Sequence, residues 1–204
     1  MMVDELIDAV IAREGGYVDH PADRGGPTKW GITAATARAH GHAGPVSTLS
    51  RAAAAEIYRR IYWLRPRLDA VGTRAPLLAA EMFDTGVNMG PRTAIGFLQR
   101  ALNALNRGAR DYADIAIDGR IGPRTLSAID GFLATRGQAG ETVLVKAVES
   151  LQGERYLRLA ETRPANEAFV YGWLAHRIGQ AAAPRPTDAP RTIPLAGDDA
   201  HARA

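Results

Sequence analysis

The sequence predicts a mainly α-helical protein with one small irregular hairpin near its N-terminus, followed by a C-terminal helical region. Two observations carry that prediction. Apolar residues recur at helical spacing along most of the chain, as in Ile95, Leu98, Leu102 and Leu105, or Leu144, Val148 and Leu151. The one stretch without that period, residues 17–33, gathers Gly25, Gly26, Gly31, Pro21 and Pro27, which break helices and form tight turns.

The elements follow in chain order. In "DELIDAVIAREGG" the side chains of Leu6, Ile7, Val10 and Ile11 form one helical stripe. Glu14 comes seven residues after Ile7, four after Val10 and three after Ile11, so it projects from the same face. Gly15 and Gly16 can take positive φ and end the helix with no side chain in front of the carboxyl group. Further helix starts are marked by Ser50 ahead of "RAAAAEIYRRIYW" and by Pro91 and Pro123 at first-turn positions. The segment "LNRGARDYADIAIDGRIG" (105–122) interrupts the helical pattern and predicts a joint. The expected organisation is therefore an N-terminal region over 1–90, a helical region over 91–180 and a tail over 181–204. That tail has four prolines and little to bury, which predicts disorder without chemistry.

Composition narrows the class. A chain of 204 residues with 46% hydrophobic and 23% charged residues can bury a substantial core. No apolar run approaches the roughly 18 residues of a membrane span, and the N-terminus is acidic where a signal peptide is basic. A protein made in the cytoplasm without a signal peptide or membrane anchor is expected. The absence of cysteine excludes disulfides and thiolate metal sites. A net charge of +3 favours an anionic partner, but with two lysines and no basic run it fits nucleic acid, an acidic cell wall or plain solubility alike.

Burial and the negative end of the helix dipole both disfavour an anionic Glu14, which would suit it to donate a proton as a general acid. The plainer alternative is a partly exposed helix-end residue with two glycines as its C-cap. Eight residues separate Glu14 from a second carboxylate, Asp23, and four separate Asp23 from Thr28. A hairpin folded back over the helix end would bring acid, base and hydroxyl to one cleft, the set that hydrolysis of a glycosidic bond requires. Tyr17 and Trp30 offer flat faces for sugar rings, or equally apolar filling under the hairpin. His40 and His42 lack further ligands nearby and predict a solvated loop. Asp111, Asp114 and Asp118 do not follow the spacing of a calcium loop, so no metal and no cofactor are expected.

The stretch "EGGYVDHPADRGGPTKWGIT" (14–33) resembles the signature of glycoside hydrolase family 108, bacterial and phage N-acetylmuramidases with a lysozyme-like helical fold. The resemblance continues in "EIYRRIYW" (56–63) and "MFDTGVNMGPRTAIGFLQRALN" (82–103). The segments "DGRIGPRT" (118–125) and "FVYGWLAHR" (169–177) are similar to the peptidoglycan-binding region usually attached to that family. It covers residues 3–180 and implies that Glu14 is the catalytic glutamate of the Glu-Gly-Gly-Tyr motif. Asp23 and Thr28 resemble the pair that holds the attacking water in phage-type lysozymes, although the gap between them is one residue shorter here. Arg24 stands where the family often has proline. Asp84 and Asn88, four apart on a helix, would line the cleft or else brace the helix end.

The activity so implied is hydrolysis of the β-1,4 bond between N-acetylmuramic acid and N-acetylglucosamine, with inversion. Its partner would be peptidoglycan strands and not nucleic acid, with the protein a monomer delivered by a holin or a secretion partner. A lytic transglycosylase and a non-catalytic wall-binding protein are the alternatives.

Overall fold

The computed structural model describes residues 3–19 and 26–179. Asp23, Arg24 and the expected tail over 181–204 lie outside the described residues. Helix α1 (Val3–Glu14) leads into a three-stranded antiparallel sheet of two-residue strands, β1 (Tyr17–Val18), β2 (Thr28–Lys29) and β3 (Ile32–Thr33). Tyr17 lies opposite Lys29 and Val18 opposite Thr28, while Thr28 and Lys29 face Thr33 and Ile32 on the other side. Helices α2 (Ala34–Ala39), α3 (Arg51–Tyr58), α4 (Leu68–Gly72), α5 (Pro76–Met89), α6 (Pro91–Leu105), α7 (Pro123–Thr162) and α8 (Glu167–Arg177) follow among the described residues. The fold is mainly α and lysozyme-like, with a small hairpin beside the end of α1, as the sequence predicts.

The start signals act as expected. The Ser50 hydroxyl accepts the Ala53 N–H at 3.1 Å, and α6 and α7 open on Pro91 and Pro123. Ile7, Val10, Ile11 and Ile95, Leu98, Leu102 are buried, while Leu6 and Leu105 of the same two stripes are half-buried. Helix α5 packs against α4, α6 and α7, and one continuous apolar cluster runs from Ile7 to Tyr156, so the regions before and after the joint share a core.

Two polar devices hold this arrangement. Helix α5 has no capping side chain of its own; instead Glu141 of α7, 1% exposed, accepts the Leu77 and Leu78 N–H groups at 2.7 and 3.1 Å. The carboxylate satisfies two orphan donors and sits at the positive end of the α5 dipole. It reaches that point because α7 breaks at Gly137, whose φ of 63° and ψ of −167° suit glycine alone. Glu141→Ala is therefore expected to lose about 2 to 3 kcal/mol by urea denaturation, since two donors are left dry; a loss within experimental error would show that water replaces the carboxylate.

Gln99 and Asn103 of α6, with Asn106 at its C-cap, form an amide ladder that grips the joint. Asn103 pairs with both backbone groups of Ile115, at 2.8 and 2.9 Å, as a neighbouring strand would. Gln99 donates to Asp118 Oδ1 and the Arg120 carbonyl and accepts from Gly119 N–H, while Asn106 donates to Asp114. With Asp111 paired to Arg107, all three aspartates of the joint are engaged in holding its shape.

Candidate active site

Helix α1 stops where the sequence places its end. Gly15 takes a φ of +75°, and its N–H closes on the Ile11 carbonyl at 3.2 Å. Glu14 is half-buried, less enclosed than Ile7, Val10 and Ile11 of its own stripe. The turn between β2 and β3 is Trp30–Gly31, with φ of 55° and 74°. Two positive-φ residues match the twist of a two-residue hairpin, though a tryptophan there is uncommon.

The turn packs onto the Glu14 side chain. A methyl group built on Gly31 would stand 2.9 Å from Glu14 Cγ and 2.5 Å from the Tyr58 hydroxyl, so only glycine allows this approach. Tyr58 donates to the Trp30 carbonyl at 3.1 Å, and the Trp30 indole donates to the Leu49 carbonyl at 3.1 Å. The turn is thus held from both sides.

After α3 the helix widens into a π turn over Arg59–Leu64, with Arg65 N–H bonded to the Arg60 carbonyl at 2.9 Å. Tyr62 lies in this turn, its ring 5.6 Å from that of Tyr58. Burial first, and the Glu14 charge second, push both phenols above their ordinary range. Burial likewise raises Tyr156 on α7. These groups hold their protons more tightly folded than unfolded, so their contribution is complete below the unfolded value of 10.0 and is lost as pH rises above it. Equilibrium unfolding is expected to show stability falling above about pH 10, by up to roughly 1.4 kcal/mol per pH unit for each tyrosine; Tyr62→Phe should make that slope shallower.

Arg13, the residue before Glu14, joins a buried ionic group. Asp84 on α5, 2% exposed, binds Arg13 of α1 at 3.0 Å and Arg177 of α8 at 3.1 and 3.2 Å. Its carboxylate is enclosed and engaged by two guanidinium groups, which compensate the cost of burying it and make it a brace between α1, α5 and α8. Asn88, half-buried, accepts the Tyr156 hydroxyl at 2.7 Å and so ties α5 to α7.

The remaining expected residues sit on the hairpin. Thr28 is half-buried in β2; Tyr17 is 49% exposed and donates to Asp19 at 3.1 Å. Trp30 is half-buried and packs partly against the core, with Lys29 Nζ 5.8 Å from its ring centroid. Glu14, the Trp30–Gly31 turn, Tyr58 and Tyr62 come together, while Asp23 falls outside the described residues. Among the described residues, no three His, Cys, Asp or Glu side chains converge as metal ligands. His42 contacts the Pro45 carbonyl and the Thr48 hydroxyl.

Arg13, Tyr58, Tyr62 and Arg177 carry no role in the sequence reading. The stretches "EIYRRIYW" and "FVYGWLAHR" that hold three of them were visible as segments, but nothing local to either shows that it turns toward Glu14.

Residues 7–90 match the family Glycosyl hydrolase 108, and residues 93–178 match the family Predicted Peptidoglycan domain. Among solved structures, "Structure of Brucella abortus SagA" is similar, with 26% identity and a TM-score of 0.53, covering 82% of this chain and 95% of that one. No curated protein matches the chain.

Proposed function

We propose that this chain, a glycosyl hydrolase 108 region joined to a predicted peptidoglycan domain, is an N-acetylmuramidase that cuts the β-1,4 bond between N-acetylmuramic acid and N-acetylglucosamine. The observation that carries it is the setting of Glu14: a half-exposed carboxyl at a helix end, cleared in front by Gly15 and Gly16 and held from behind by a glycine turn. Glu14 protonates the leaving glycosidic oxygen. Asp23 with Thr28 activates water on the opposite face of the sugar, and Tyr17 and Trp30 border the strand.

Mass spectrometry of soluble products from purified peptidoglycan tests the assignment. Hydrolysis adds a water molecule and leaves reducing muropeptides, whereas a transglycosylase leaves 1,6-anhydro ends without added water. Reducing N-acetylmuramic acid ends are expected. Anhydro ends would move the protein to the transglycosylases, and an absence of products would leave a binding protein.

A further inference from the structure

Resting on the muramidase reading, we infer that Arg177 of α8 is a positioning residue for Glu14, so that the region matched by the peptidoglycan domain completes the catalytic site. Arg177 is 5% exposed and lies 93 residues from Asp84 in sequence, yet one of its nitrogens spans both Asp84 oxygens. Asp84 in turn binds Arg13, the residue immediately before Glu14. The three side chains bolt the last turn of α1, which carries Glu14, to α5 and α8.

A wall-binding module that served only to anchor would have no reason to bury a guanidinium in the neighbouring region. Burying a cation is costly unless it is paired, and pairing Asp84 with Arg13 alone would already balance the charges. The second cation ties α8 to the same carboxylate as α1, within Coulombic reach of Glu14. The groups facing Glu14 are then Arg13 on its own helix, Tyr58 from α3, Tyr62 from the π turn and Arg177 from α8, with Asp84 of α5 behind the two guanidinium groups. Arg177 thus acts on Glu14 in two ways: through Asp84 and Arg13 it fixes the last turn of α1 that carries the carboxyl group, and it adds a cation within Coulombic reach of that group.

The test is the pH profile of reducing-end release from peptidoglycan by the full chain, recorded for wild type, Arg177→Gln and Arg177→Lys. The glutamine variant is expected to lose at least tenfold in kcat with KM within twofold. The upper limb of its kcat/KM profile should move to higher pH, because removing a cation disfavours the nearby anion. Lysine keeps the charge, so it should leave the limb in place and recover part of kcat. Glutamine activity within twofold of wild type, or a tenfold loss with an unmoved limb, as a purely structural contact would give, overturns the inference. If the glutamine variant does not fold, Arg177→Met, which removes the charge and keeps an unbranched apolar stem, takes its place: a raised limb with a tenfold loss in kcat supports the inference and an unmoved limb overturns it. Wild type is recorded first, and failure to release reducing ends at any pH removes the muramidase reading and this inference with it.

Discussion

Glu14→Gln is expected to lower muropeptide release by about two to four orders of magnitude, the range that loss of a general acid produces, while the protein stays folded. The substitution is nearly isosteric. The Cβ and Cγ atoms on which the Trp30–Gly31 turn rests are unchanged, as are the Tyr58 bond to Trp30 and the Arg13 pair with Asp84. What the amide lacks is an acidic proton for the leaving oxygen, so the loss should fall on kcat. A melting temperature within a few degrees of wild type, beside that loss, separates chemistry from unfolding. The same variant removes the negative charge that raises the Tyr58 and Tyr62 phenols, and ultraviolet titration of tyrosinate should report the change even without substrate. A variant that retains more than a tenth of wild-type turnover would exclude Glu14 as the acid.

What the sequence disclosed and what it did not divide along physical lines. Helix ends and burial stripes are local properties, so Gly15, Ser50, Pro91 and Pro123 mark boundaries that the fold reproduces. The face of Glu14 follows from the same periodicity, and the turn over it from the cluster of glycine and proline. Its degree of burial does not follow, because that depends on how much of the hairpin covers the helix end. Asp84 shows the limit more sharply. Its position beside Asn88 on one helix face was readable, but the partners that enclose it come from α1 and α8, 71 and 93 residues away. Glu141 is a similar case: on its own helix it reads as an ordinary charged residue, and only the packing of α7 against α5 makes it a cap for Leu77 and Leu78. Periodicity says which side of a helix is covered; it does not say which charge will be waiting there.

Gly31→Ala is expected to cost about 2 to 4 kcal/mol of stability and to reduce turnover tenfold or more. Two effects combine, and they can be separated. The first is conformational: at a φ of +74° any side chain with a Cβ is strained, by about 1 to 2 kcal/mol. The second is steric, since the new methyl group would stand 2.5 Å from the Tyr58 hydroxyl and 2.9 Å from Glu14 Cγ. Neither neighbour gives way freely: Tyr58 is bonded to Trp30, the residue next to the substitution, and Glu14 sits on the last turn of a helix fixed through Arg13. The clash must therefore be relieved by lifting the turn or by displacing the carboxyl group, and a displacement near 1 Å is enough to lower turnover by about a hundredfold. Gly108→Ala supplies the control, because Gly108 has a φ of +71° with no atom within 4 Å of the added methyl. It should show the conformational cost alone, about 1 to 2 kcal/mol, with turnover unchanged. Equal stability losses in the two variants, or wild-type turnover in Gly31→Ala, would mean that the turn yields without moving Glu14 and that its close approach does not position the acid.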